Sequence, residues 1–411
     1  MVDVNQKIPE GWSVKKISDI GTTVSGGTPD TNNPNYWDGT VLWVTPSEVA
    51  ALSSRFITNT IRKITDKGLR QSSAKLLPIN SLIICTRATI GDCCINKKPM
   101  CTNQGFKNII VKDNNVDFLY YLITKNKNEL MRKACGSTFL EISKKDIDNL
   151  KFAIPPLPEQ EKIAGILSCW DDGIEKLSAL IEKKKIQKKS LMQQLLTGKH
   201  RLKGFSTPWR EVKLGNIGII SSAGVDKKIV EGEKLVNLLN YMDVYKKDFL
   251  YASDMSMTVS APERQIRNCN LKKGDIFFTP SSETRDDIAH SAVVMEDIVN
   301  GVYSYHIVRL RPTTPIDLKF SAYAFKTNHF YKQAFSICEG SGQRYVISQD
   351  DFRNMTVFIP TDLAEQKAIA EILSKADEEI ELLNKKLEAF KQEKKALMQQ
   401  LLTGKIRVKV N

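Results

Sequence analysis

Apolar residues recur at alternating spacings of four and three along two long stretches of the chain. From Ile163 they fall at Leu167, Trp170, Ile174, Leu177 and Ile181, and the series continues through Lys184 and Lys188 to Leu191 and Leu195. From Ile369 the same spacing gives Leu373, Ala376, Ile380, Leu383, Leu387 and Phe390, then Lys394, Leu397 and Leu401. Roughly five heptads with few interruptions predict coiled-coil helices rather than ordinary globular ones. Each is expected to run about 33 residues, on the order of 50 Å. Gly198 and Gly404, each behind a Thr, are suitable stops, because Gly takes the left-handed conformation without a Cβ penalty. Pro155, Pro156 and Pro158 before the first helix, and Pro360 before the second, are expected to keep an extended lead-in from joining it.

The two stretches are copies. LMQQLLTGK begins at Leu191 and again at Leu397, 206 residues on, and Leu157-Pro158-Glu159-Gln160 at the front of the first helix matches Leu363-Ala364-Glu365-Gln366 at the same offset. A 411-residue chain that repeats at about half its length is a duplicated molecule. The division this predicts is a globular domain over 1–156, a spacer helix over 157–203, a second globular domain over 204–362 and a second spacer helix over 363–411. Antiparallel pairing of the helices would set the two domains at opposite ends of a rod. With the helix midpoints, near Ala179 and Lys385, facing each other, Lys188 should fall beside Ala376-Asp377 and Lys394 beside Trp170-Asp171, each laying its methylenes on an apolar neighbour and its ammonium near a carboxylate. The alternative is that each helix packs separately on its own domain.

Outside the helices the pattern is that of mixed α/β (α+β) domains. In the first, Val14–Gly21 suggests a short helix or turn, and 25–37 is a Gly/Pro/Asn-rich loop. Val41–Val44, Leu82–Cys85, Asn108–Val111 and Lys151–Ile154 read as strands, and Val116–Thr124 as an amphipathic helix. Ser143 caps a further short element. The second domain repeats the frame: Trp209 stands to Ile217-Gly218 as Trp12 stands to Ile20-Gly21, and Ser348, Asp351 and Phe352 match Ser143, Asp146 and Ile147. Between these borders only Leu271–Phe278 aligns, with Leu77–Ile84. Like frames with unlike interiors suit two binding modules for two targets.

Composition adds a partner class. The formal net charge of +13 suggests a polyanion, although the Lys183–Lys185 and Lys188-Lys189 runs are mostly solvated helix faces. Eight cysteines show no disulfide framework, and Cys93-Cys94 with Cys101 lack a nearby His or a C-x-x-C, so no metal site is expected. No signal peptide, hydrophobic span or lipidation motif is visible, so the chain is expected in the cytoplasm, away from membranes, with reduced thiols.

The order domain, long helix, domain, long helix, together with SGGTP and NPNYW in the first loop, the LPEQEKIA start and both LMQQLLTGK ends, resembles the specificity subunit of type I restriction-modification systems across the whole chain. The resemblance implies a non-catalytic subunit without cofactor. Its two target-recognition domains would each read one half of a bipartite double-stranded DNA sequence while the helices set the spacer. Two modification (methyltransferase) subunits would dock beside the helices, and restriction subunits would join them.

The sequence is also compatible with other classes. Asn33-Pro34-Asn35-Tyr36 resembles the N-P-P-Y motif of a self-contained DNA adenine methyltransferase, but its third position is Asn and no F-x-G-x-G loop accompanies it; a structural turn is favoured. No phosphate-binding G-x-x-x-x-G-K-[ST] loop occurs, and Pro29-Asp30 has no convincing nuclease partners. A coiled-coil scaffold without a nucleic-acid role is the third class. For DNA contact, Arg, Asn and Gln suit base edges, and Lys, Ser and Thr suit phosphates. The first-domain candidates are Arg70, Gln71, Ser72 and Lys75, then Arg87 and Thr89, then Asn103, Gln104 and Lys107. Those of the second are Ser281, Ser282, Thr284 and Arg285, then Tyr305 and His306, then Gln343, Arg344 and Tyr345.

Overall fold

A computed structural model describes residues 8–134, 140–342 and 344–410. The chain divides into two compact units, Met1–Leu180 with Leu383–Asn411, and Ile181–Leu382. Each unit therefore contains one globular domain, part of one long helix and part of the other.

The helices span Leu157–Leu195 and Leu363–Leu401, 39 residues each, longer than the heptads alone suggest. The first starts ahead of Pro158 rather than behind it, because a missing N–H costs nothing in a first turn that has no partner for it. Every predicted seam position is buried or half-buried, whereas Leu180, Ile186 and Leu382, off the seam, are exposed. Gly198 and Gly404 both take φ +67° behind the helices, as their positions require.

Within the first unit Lys394 donates to Asp171, and Trp170 meets Phe390 edge-on at 5.2 Å. Within the second, Lys188 donates to Asp377 and Lys184 pairs with Glu379 at 2.7 Å. With Arg407 on Glu159 and Arg201 on Glu365, the helix segments in each unit run antiparallel in the register that the seam lysines predicted.

The start of each helix is tied down by the same chemistry. Glu159, 3% exposed, accepts from Trp12 Nε1 at 3.1 Å and from both Arg407 Nε and Nη2 at 2.7 and 2.8 Å. Glu365, fully buried, accepts from Trp209 Nε1 at 3.2 Å and from Arg201 at 2.6 and 2.8 Å. The next residue is a clamp. Gln160 Nε2 donates to Pro155 O and its Oε1 accepts from Asn115 N–H, while Gln366 does the same to Pro360 O and Asp317 N–H. Asn115 and Asp317 each cap a helix of their domain, so the repeated Glu-Gln pair locks domain to helix.

Inside each unit lies a five-stranded sheet of one topology. Its order in the first is Gly21–Ser25, Phe106–Val111, Leu82–Cys85, Cys93–Asn96, Phe56–Ile57, and in the second Gly218–Ser221, Val308–Pro312, Ile276–Phe278, Ser291–Val294, Phe249–Leu250. Leu82–Cys85 and Ile276–Phe278 are both central and buried. The second sheets differ, with three strands including Trp37–Val44 in the first unit and four including Lys234–Leu239 in the second. The likeness of the repeats thus reaches further inward than residue identity shows.

Val14–Gly21 is a strand, Ser13–Lys16, followed by a single helical turn, Ile17–Ile20; the strand forms because it pairs with Lys151–Ile154, a partner far along the chain. Cys93-Cys94 and Cys101 lie on strands, with Cys94 and Cys101 buried in the core and Cys93 half-buried against it. Burial pushes the Cys85 thiol up to about 12, so it is inert at neutral pH. Among the described residues no His/Cys/Asp/Glu group is arranged to hold a metal, and no helix is long and apolar enough to cross a membrane.

Candidate nucleic-acid interface

The first-unit candidates converge on the end of the central strand. The chain leaves Leu82–Cys85, turns through Ala88 at φ +57°, and returns where Gly91 N–H meets Cys85 O at 2.9 Å. Arg87 stands exposed on this turn, and Thr89, half-buried, closes it by donating its N–H to Arg87 O at 2.7 Å. Thr86 N–H bonds Gly105 O at 2.8 Å, which sets the Asn103–Gly105 loop alongside. There Asn103 Oδ1 turns the chain by accepting from Gly105 N–H at 2.9 Å, and exposed Gln104 accepts from the Thr28 hydroxyl.

The Gly26-Gly27 loop draws the third segment in. A Cβ on Gly26 would lie 1.8 Å from Asn103 O, and one on Gly27 2.3 Å from the Ser73 carbonyl carbon, so only glycine allows this approach. Beside it run Arg70, at the end of the short helix Asp66–Arg70, and the exposed Gln71 and Lys75; Ser72 Oγ accepts from Ala74 N–H. Gln71 also accepts from Tyr36 OH at 2.7 Å. That Tyr belongs to the Asn-Pro-Asn-Tyr segment, which forms a single 3-10 turn with Asn33 Oδ1 held by Asn35 N–H and Tyr36 O by Thr65 N–H. The turn thereby holds Gln71 and the start of the short helix that ends at Arg70.

Glu141 organises the charges here. It takes Arg87 Nη2 at 2.5 Å on one oxygen and Lys107 Nζ at 3.1 Å on the other. Burial pushes its carboxyl up, but the bonds from Arg87 and Lys107 outweigh burial and hold it below the usual range. Lys107, opposite Ile84 on the neighbouring strand, is almost fully buried with its ammonium spent on Glu141.

In the second unit the corresponding excursion leaves the central strand at Thr279 and returns at Ala289, whose N–H meets Thr279 O at 3.0 Å; it is four residues longer than the span from Cys85 to Gly91. Ser281-Ser282 pair with Arg344–Val346, which in turn pair with Glu339–Ser341. Thr284 N–H caps onto Ser282 Oγ at 3.3 Å, and the Arg285 guanidinium lies 5.1 Å from the Tyr345 ring centre. Tyr305, exposed, packs against His306 with ring centres 4.0 Å apart. Burial, then the cations Lys227 and Arg344, push the His306 imidazole below its ordinary value. Gln343 lies outside the described residues.

Each set is therefore gathered at one edge of its unit, and the two edges correspond: Ile142 N–H bonds Thr86 O, and Ile347 N–H bonds Pro280 O. Several neighbours were not visible in the sequence. Glu141 stands 54 residues from Arg87, and Lys227 is far from His306 along the chain. A groove of ≈ 550 Å³ beside Ser281 and Arg344 is lined by Tyr241, Tyr245, Glu283 and Asp287. No spacing pattern links these residues; only folding does.

The model of the type I restriction modification DNA specificity domain matches the chain twice, at residues 9–196 and 207–392. The chain is 25% identical over 435 aligned residues to the MjaVIII specificity subunit of Methanocaldococcus jannaschii, spanning 98% of this chain and 95% of that one. It is 40% identical over 183 residues to the MjaIX specificity subunit of the same organism, a match covering less than half of either chain, 43% and 42%. Among solved structures it is similar in fold to the S subunit of a type I restriction-modification system from M. genitalium, with a TM-score of 0.56 at 17% identity, covering 97% of this chain and 98% of that one. The HsdS subunit from Thermoanaerobacter tengcongensis gives 0.53 at 17% identity, covering 99% and 100%.

Proposed function

This chain belongs to the type I restriction modification DNA specificity domain family, with two such domains in tandem, and on that premise we propose that each domain reads one half of a bipartite double-stranded DNA target. The helix pair fixes the number of base pairs between the halves. The observation that carries this reading is the corresponding placement of two chemically different polar sets, Arg87 with Asn103-Gln104 in one domain and Ser281-Ser282 with Arg285 and Arg344 in the other. A shared scaffold with unlike side chains at the same edge suits two unlike half-sites.

In this reading Arg87, Asn103, Gln104, Arg285 and Arg344 face base edges, because their donor and acceptor patterns match major-groove edges. Arg70, Gln71, Ser72, Lys75, Ser281, Ser282 and Thr284 hold phosphates and sugars, whereas Thr89, whose hydroxyl is buried, holds the turn that carries Arg87 instead of touching DNA. Tyr305, His306 and Tyr345 offer ring faces and hydrogen bonds, and the carboxamide of Gln343 suits a base edge. Lys107, buried on Glu141, positions Arg87 instead of touching DNA. Two modification subunits supply methyl transfer and restriction subunits supply cleavage, in the cytoplasm, and the globular parts divide as 1–156 and 204–362 with spacer helices at 157–203 and 363–411.

The test is methylome sequencing of a host carrying this chain with its partner modification subunit, against a host lacking the chain. A gapped motif methylated on both strands is expected. Absence of any new gapped motif from a properly assembled complex would overturn the reading.

A further inference from the structure

The groove beside Ser281 and Arg344 holds two carboxylates in unlike states. Asp287 is satisfied, taking Tyr245 OH at 2.9 Å and His290 Nε2 at 2.8 Å. Glu283 is exposed and makes no hydrogen bond or ion pair among the described residues, although Arg344 lines the same groove. Arg285 is two residues away but is drawn over the Tyr345 ring. The turn that carries Glu283 is fixed by Ser282 Oγ on Thr284 N–H, and its base by Tyr241 OH on Ser281 O at 2.7 Å. It also lies in the excursion that is four residues longer than its counterpart in the first unit.

An unpaired carboxylate at such a place is costly against DNA. It repels phosphates, and in a merely electrostatic surface an arginine would neutralise it. What a carboxylate supplies that Arg, Ser and Thr do not is an acceptor with no donor, the complement of an exposed base amino group; in the major groove the cytosine N4 amino group is the edge that Glu and Asp accept from. We infer that Glu283 is a specificity-determining residue of the second domain, accepting a hydrogen bond from the N4 amino group of a cytosine in that domain's half-site. The inference rests on the reading of this domain as a half-site reader. Tyr241 and the Ser282 turn position the carboxylate, and Arg344, which lines the same groove, holds the same base pair.

The experiment is the methylated motif written by the full chain with its modification subunits, for wild type, Glu283→Gln and Glu283→Ala. The wild-type motif is expected to contain a C·G pair in one half-site, preferred there about ten- to hundred-fold over other pairs. Glu283→Ala should erase that preference at the one position, and Glu283→Gln should shift it towards adenine, whose N6/N7 edge suits a carboxamide. The other half-site and the spacer stay as they were, which also shows that the variants fold and assemble. An unchanged motif in both variants, or a uniform loss of methylation with no change in base preference, would show that Glu283 reads no base. A wild type that writes no gapped motif would instead sink the half-site reading itself.

Discussion

At the scale of single residues, the two Trp–Glu–Arg clusters are the same device set to different depths. Glu365 is fully buried and its Arg201 is 27% exposed at the side chain, whereas the Arg407 that serves Glu159 is 42% exposed. Removing the carboxylate strands an arginine and an indole N–H, and the cost depends on how easily water can reach them. Glu365→Ala is therefore expected to destabilise its unit by about 3 kcal/mol, and Glu159→Ala by about half as much, in parallel denaturant melts. Equal losses would mean that burial of the arginine does not set the cost. Glu141 offers a pH test. Its folded pKa lies below the unfolded value, so the Arg87–Glu141–Lys107 cluster stabilises fully above the ordinary carboxylate pKa, about 4, and loses that contribution as pH falls through the lowered value. The stability gap between wild type and Glu141→Gln should stay level through neutral pH and close only in acid. A gap that varied around pH 6 to 8 would point to a group other than Glu141.

At the scale of elements, the helices were the most legible part of the molecule, because a period of 3.5 residues sustained over many turns carries redundant information. Even their register was readable, since Lys188 and Lys394 are the seam positions that need a carboxylate and Asp377 and Asp171 are the ones that antiparallel pairing supplies. Each lysine also lies over a tyrosine, Lys394 5.3 Å from the Tyr121 ring centre and Lys188 5.6 Å from that of Tyr323, and each of those tyrosines donates its hydroxyl to the same Asp, at 2.5 and 2.7 Å. Burial first, with the neighbouring carboxylate, raises both phenols, so they remain donors. A double-mutant cycle on Lys394 and Asp171 should give a coupling of roughly 1 kcal/mol, above that of a free surface pair. No coupling would mean another register in solution. Legibility fell away where partners are distant: Ser13–Lys16 is a strand only because of Lys151–Ile154, and strands of two residues such as Phe56–Ile57 carry too little pattern to read. The candidate interface divides likewise. Arg87 is a candidate from its residue type and place after a strand and Asn103-Gln104 from theirs in a Gly-containing loop, while Glu141 and Glu283 need the fold to bring them into view.

At the scale of the whole molecule, the reading ties helix length to the DNA spacer, and that tie can be cut experimentally without touching either domain's polar set. Each helix has 39 residues, about 58 Å at ~1.5 Å per residue, a length comparable to about 17 base pairs at ~3.4 Å. Inserting one heptad into each helix preserves the seam, because seven residues return every a and d position to the same face. It lengthens the helices by about 10 Å, or about three base pairs of DNA. A four-residue insertion is the weaker design, since it shifts the seam lysines off Asp377 and Asp171 and confounds length with stability. The heptad variant, assembled with its modification subunits, should methylate the same two half-sites across a spacer longer by about three base pairs. The Trp12–Glu159–Arg407 and Trp209–Glu365–Arg201 clusters lie at the helix ends and remain as they are, so each domain keeps its seat on the helix start. If the variant instead writes the original spacer, helix length does not measure the DNA. The distance between half-sites would then have to come from the modification subunits or from deformation of the duplex.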